Sequence, residues 1–121
     1  MSLPLNAEMV ATAYDFLNTT PPFNKWNLPD AEDVGFRLSR RKKELGRYQW
    51  DGKRHTIIAS SLAIGHTSTL MRFLCHEMIH LHLEATGTES RRGGEDTHNV
   101  AFQKFAAEVC KYHGFDPKAF Y

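Results

Sequence analysis

The chain has 121 residues, 41% of them hydrophobic and 24% charged, which suits one domain with a single modest core and excludes a disordered tail. No apolar run approaches the ~18 residues of a membrane-spanning helix, and the N-terminus lacks the basic-then-apolar pattern of a signal peptide, so a cytoplasmic protein without a membrane partner is expected. The net charge of +1 conceals a strongly basic stretch between residues 35 and 55.

Asn6 is placed to cap a first helix through about Asn18, because its side-chain oxygen can accept from a free N–H of the first turn. Val10, Tyr14 and Leu17 form the apolar stripe, widened by Met9, Ala13 and Phe16. Thr19-Thr20-Pro21-Pro22 ends the helix, since proline cannot continue it. In the loop to Asp30, Phe23, Trp26 and Leu28 are expected to fold back on the core. Val34, Phe36 and Leu38 alternate with Gly35, Arg37 and Ser39, the period-two pattern of a half-buried strand. Gly46 to Trp50 and Arg54 to Ser60 flank Asp51-Gly52, a hairpin signal of the type I′ kind. The second arm, apolar and β-branched at Thr56 to Ala59, is expected to lie deeper in the sheet.

Helical periodicity returns from about Ser68 to Ala85, with Leu70, Phe73, Leu74 and Met78 apolar, and Gly87 as its stop. The polar stretch Thr88 to Glu95 reads as a mobile loop. Asp96 or Thr97 is then expected to cap a last helix to about Tyr112, with Val100, Ala101, Phe105, Val109 and Tyr112 inward and Gly114 closing it. The order of helix, small antiparallel sheet, helix and helix predicts an α+β domain spanning residues 1–121.

Cys75 and Cys110 each fall in an apolar helical stretch and read as free buried thiols, which demand no oxidising compartment. Residues 35–55 hold eight of the fifteen Lys and Arg (Arg37, Arg40, Arg41, Lys42, Lys43, Arg47, Lys53 and Arg54) against Glu44 and Asp51, a local +6. Such a cluster is either a phosphate footprint, with Arg40, Arg41, Lys42, Lys43, Lys53 and Arg54 as candidate nucleic-acid contacts, or a solvated loop and hairpin.

The chemistry concentrates in His76-Glu77-Met78-Ile79-His80. Two histidines four apart on a helix project from one face and can hold one metal ion, for which neutral imidazole and Zn²⁺ are suited. Glu77 projects beside that ion and can take a proton from a water attacking a carbonyl. Catalytic zinc sites usually have three protein ligands and one open position. His98, in the first turn of the next predicted helix, is the leading candidate for the third. His113 would lie some 20 Å away by helical rise, His82 points off the ligand face, and His66 precedes the helix. Glu84 and Glu95 stay open as carboxylate ligands.

These residues resemble the SprT-like metallopeptidase domain, the family that includes the Spartan proteases of DNA–protein crosslink repair. Ile57-Ile58-Ala59-Ser60 matches the family's I-x-x-S strand, residues 76–80 its active helix, and His98-Asn99-Val100-Ala101-Phe102 the head of its next helix. Phe105 to Gly114 continues as that helix does, and the likeness from Thr56 through Pro117 covers about half the chain. It implies a zincin-like fold, Zn²⁺ on His76, His80 and His98, and Glu77 as the catalytic glutamate. Two features depart from it. Asn99 stands where the family commonly has glycine, and no paired Cys-x-x-Cys of a C-terminal zinc ribbon occurs up to Tyr121, so any DNA contact would fall to the basic 35–55 region.

The expected function is zinc-dependent hydrolysis of a protein or peptide substrate, including DNA-associated proteins, in an oligomeric state the sequence leaves open. Tyr48, His66, His82 and Arg72 are unranked candidates for stabilising the oxyanion. Two other readings compete. One is a catalytically silent, zinc-stabilised module that binds nucleic acid or a protein through the basic region. The other is the group of phage-repressor-cleaving HExxH proteins, whose third ligand is a glutamate.

Overall fold

The computed structural model describes residues 5–89 and 98–120. Helix α1 spans Ala7–Asn18, and Asn6 caps it as its residue type requires, its Oδ1 accepting from Met9 N at 2.8 Å. Val10, Tyr14 and Leu17 are buried, whereas Phe16, at the margin of the expected stripe, is largely exposed. Two short 3₁₀ turns, Phe23–Lys25 and Ala31–Asp33, carry the chain to the sheet. Phe23 and Leu28 are buried in the core and Trp26 packs against it. The Tyr14 hydroxyl donates to Pro29 O at 2.6 Å, pinning this loop to α1.

Strands β1 (Gly35–Ser39), β2 (Gly46–Trp50) and β3 (His55–Ser60) form one sheet in the order β1-β3-β2. β3 is central, in keeping with its β-branched, apolar sequence. The hairpin of β2 and β3 is antiparallel, but β1 pairs with β3 in parallel, so the sheet is mixed rather than antiparallel throughout. Alternation along a strand specifies which face is buried and leaves the partner open. Residues 40–45 cross the end of β3 to join β1 to β2, held by Ser60 N to Leu45 O at 2.7 Å and by the Ser60 hydroxyl to Arg41 O. The hairpin turn also differs from a type I′ pair. Asp51 Oδ1 accepts from both Lys53 N and Arg54 N at 2.8 Å, closing a four-residue loop in which Gly52 alone has positive φ.

The sheet separates two environments. Phe36, Ile57 and Tyr48 align in one row across it, and Tyr14 meets Phe36 edge-on at 5.4 Å. In the neighbouring row Arg37, Ile58 and Arg47 face the opposite way. At Gly46 the backbone has φ 152°, and a Cβ there would lie 1.9 Å from Ile58 O and 2.7 Å from the Phe73 ring. Glycine is required because the backbone there has a positive φ and runs against the β3 carbonyl of Ile58, with the Phe73 ring behind it.

Helix α2, Thr67–Ala85, is buried on nearly every side: Leu70, Phe73, Leu74, Cys75, Met78, Ile79, Leu81 and Leu83 are all inside. A helix of that pattern belongs at the centre of its domain, and α1, β2 and α3 all pack on it. Helix α3 runs Val100–His113 and ends at Gly114 in the left-handed conformation, φ 76°. Its cap is Asn99, whose Oδ1 accepts from Phe102 N at 2.8 Å; Asp96 and Thr97, the expected caps, lie outside the described residues. The buried face of α3 is Phe102, Ala106, Val109 and Cys110, while Val100 and Tyr112, expected inward, are 82% and 54% exposed. A one-turn helix α4, Pro117–Phe120, folds back so that Phe120 is buried. Cys75 and Cys110 are both free and buried. Among the described residues no helix is long and apolar enough to cross a membrane.

Candidate metal centre

His76 and His80 leave α2 one turn apart, with ring centroids 5.2 Å from each other. His98 reaches them from the residue before the Asn99 cap, just ahead of α3 rather than within its first turn. One ring nitrogen from each of the three lies within 4.8 Å of the others, a grouping able to hold a metal ion. His98 Nε2 and His76 Nε2 stand 3.2 Å apart. Phe102 backs all three rings, stacked on His98 at 4.2 Å and 4.7 and 4.9 Å from His80 and His76. Asn99 accounts for the departure from glycine at this position: an asparagine cap starts α3 directly after His98, so the turn that presents the ring also begins the helix.

The second nitrogen of each α2 histidine is tied down, which settles how the first is presented. His80 Nδ1 donates to Glu89 Oε2 at 2.7 Å, with the two side chains 1% and 6% exposed. His76 Nδ1 donates to Phe120 O at 3.1 Å. A carbonyl or carboxylate oxygen can only accept, so both Nδ1 atoms carry a proton and the Nε2 atoms are the ones left to a metal. Burial above all, then the neighbouring His80 and His98, pushes His76 down to about 3. Its ring is therefore neutral at ordinary pH, the state a metal ligand needs. Glu77 is buried on the same helix, at 6% exposure.

The other histidines are elsewhere. His82 stacks on Trp26 at 4.5 Å and meets Phe105 edge-on. His66 is exposed at the N-cap position of α2, with no side-chain capping bond. His113 bonds to the Thr20 hydroxyl at 3.2 Å. Glu84 is outside the three-histidine group, and Glu95 lies outside the described residues. Of the oxyanion candidates, the Tyr48 hydroxyl bonds His55 Nδ1 at 2.5 Å and Arg72 Nη1 donates to Ala119 O at 2.6 Å, so both carry other bonds. Sequence reasoning missed Glu89, Phe120 and the Arg72 contact. Glu89 fell in a stretch read as a mobile loop, yet Thr88 and Glu89 both donate their N–H to Leu83 O, which folds this segment against the end of α2.

The basic residues form a separate surface. Arg40, Arg41, Lys42 and Lys43 are exposed in the β1–β2 crossing, and Lys53 and Arg54 in the hairpin loop. Glu44 draws two of the arginines together, at 2.7 Å from Arg47 and 3.5 Å from Arg41. With Arg37 they line a hollow of about 250 Å³ over Ile58.

An α+β fold whose central helix brings His76 and His80 to His98, and carries a buried glutamate next in sequence to His76, defines a protein with a candidate three-histidine metal centre. The chain belongs to the SprT-like family, whose sequence profile matches residues 13–119. Comparison with curated proteins finds no match. Membership fits a metallopeptidase-type domain and extends the likeness beyond the C-terminal half, to α1 and the sheet.

Proposed function

We propose that this chain is a zinc-dependent metallopeptidase that hydrolyses peptide bonds, with His76, His80 and His98 as ligands and Glu77 as the general base. The convergence of the three imidazoles carries the reading. The donor set fits zinc: two nitrogens each about 2.0–2.1 Å from a tetrahedral ion stand ~3.3 Å apart, close to the 3.2 Å between His76 and His98. Among the described residues three imidazoles group there, and a fourth position would be open to water and substrate, as in catalytic rather than structural sites. Zinc held there would supply Lewis acidity, lowering the pKa of water toward about 7 and polarising the scissile carbonyl.

The remaining work falls to the chain. Glu89 and the Phe120 carbonyl hold the two α2 imidazoles in one tautomer and orientation. Phe102 keeps water from the back of all three rings. Glu77 accepts the proton of the attacking water and returns it to the leaving amine, a step in which a carboxylate close to the reaction works best when partly desolvated. Glu77→Gln should bind zinc normally while its cleavage of an unfolded protein falls by a factor of about 10²–10⁴; cleavage at the wild-type rate contradicts the mechanism.

The substrate we propose is a protein or peptide, and DNA-associated proteins in particular, brought near by Arg40, Arg41, Lys42, Lys43, Lys53 and Arg54. Their exposure and common sign support this. A contact of that kind must weaken steeply as salt rises, and no DNA binding by the intact chain at low salt sinks it. The free thiols of Cys75 and Cys110 suit a reducing, cytoplasmic setting.

A further inference from the structure

The peptidase motif accounts for the ligands on α2 but not for the way the last turn of the structure grips one of them. Arg72 precedes His76 by one helical turn, so both side chains leave α2 on the same face. Arg72 Nη1 donates to Ala119 O at 2.6 Å, and the next carbonyl along, Phe120 O, accepts from His76 Nδ1 at 3.1 Å. Two consecutive carbonyls of α4 are thus held by α2, one by a guanidinium and one by a ligand imidazole. The Phe120 ring is 3% exposed and lies 5.6 Å from His76 and 5.7 Å from Phe115. That packing gives the carbonyl one seat.

The two acceptors at the centre differ in what secures them. Glu89 is held by backbone bonds to the end of α2, Thr88 N and its own N–H both donating to Leu83 O. Phe120 O belongs to a four-residue helix, and helices this short have almost no cooperative stability of their own. Such a segment frays unless something outside it holds it. The Arg72 bond is charge-assisted, roughly twice as strong as a neutral one, and it acts one residue before the acceptor that matters.

We propose that Arg72 is a positioning residue for His76, acting through the Ala119–Phe120 backbone: it seats Phe120 O on Nδ1 and so keeps His76 Nε2 bare and aimed at the metal. The inference rests on the three-histidine reading but concerns the orientation of one ligand.

The test uses the whole chain and two readouts. In metal-free protein, imidazole ¹⁵N shifts should show His76 with Nδ1 protonated and Nε2 bare, and Arg72→Ala should turn this into a mixture of tautomers. Zinc affinity, from competition with a chelator, should fall about tenfold in Arg72→Ala, the lower end of the range for outer partners of metal ligands. Arg72→Lys, which keeps a cationic donor, should restore most of it, and Lys118→Ala on the exposed side of α4 should change neither readout. A folded Arg72→Ala with the wild-type His76 tautomer and zinc affinity overturns the proposal. Should Arg72→Ala not fold, Arg72→Gln is read the same way, with an intermediate affinity expected and an unchanged one contradictory. Wild-type protein that binds no zinc would sink the metal centre, while the tautomer comparison would still decide the role of Arg72.

Discussion

Two polar regions of this molecule are built on opposite terms. Around α2 the charged and titratable groups are buried and their partners specified: His80 at 1% exposure on Glu89 at 6%, and His76 on a main-chain carbonyl. Across the sheet, Arg40, Arg41, Lys42 and Lys43 lie in water on a crossing loop, where salt screens them beyond about 8–10 Å. A buried polar group without its partner carries the full cost of desolvation, so each contact in the first region constrains the rest. An exposed charge adds about 0–1 kcal/mol even when paired. The first region therefore has a structure that one substitution can damage, and the second acts only as a sum.

The point where the two regions meet should be the least tolerant. Gly46→Ala would drive a Cβ into Ile58 O and the Phe73 ring at a backbone φ of 152°, adding strain to overpacking. A loss of ~3 kcal/mol or more is expected, read as a large drop in the urea midpoint; a midpoint near wild type would contradict the close packing of β2 on β3 and Phe73 there.

Within the centre, Glu89→Ala should weaken metal binding by about 10–100-fold, measured against a chelator. Glu89→Gln, whose amide oxygen still accepts from His80 Nδ1, should lose less. Equal losses in the two variants would mean that charge rather than orientation is what Glu89 supplies.

Acid should act on the histidines next. Burial holds His55 and His113 below the usual value, and His76 is pushed to about 3. Below the unfolded value of roughly 6.5 the unfolded chain binds protons that the folded chain refuses. Stability of the metal-free protein must then fall as pH drops from about 6.5 toward the depressed folded values. Thermal melts in chelator at pH 7 and pH 5 should show a lower midpoint at pH 5, and an unchanged midpoint would contradict the buried, neutral rings.

The smallest effects belong to the basic loop. Replacing Arg40, Lys42 and Lys43 singly by alanine should move stability by no more than about 0.5 kcal/mol each. The three together should flatten the salt dependence of any DNA binding. A large loss of stability from one of them would erase the contrast between the regions.

What could be read in the sequence follows the same division. Asn6, the alternation at Val34 and Phe36, and the helical spacing of Leu70, Phe73, Leu74 and Met78 are local signals, and they gave the elements nearly to the residue, although Leu38, expected on the buried face of its strand, is 38% exposed. The parallel pairing of β1 with β3 was invisible because period-two alternation carries no partner information. His76, Glu77, His80 and His98 stood out because metal chemistry restricts residue type and spacing together. Glu89 and the Phe120 carbonyl did not, since a loop glutamate and a backbone oxygen have no spacing rule. Val100 and Tyr112 were misplaced because the buried stripe of α3 is Phe102, Ala106, Val109 and Cys110, turned from the face that was expected.

Metal content of the purified chain tests the central claim most directly. Wild-type protein and Glu77→Gln should each hold one equivalent of zinc per chain, and His98→Ala should lose it on dialysis while Glu84→Ala keeps it. Zinc retained in full by His98→Ala, or absent from wild-type protein under saturating metal, would contradict the three-histidine centre.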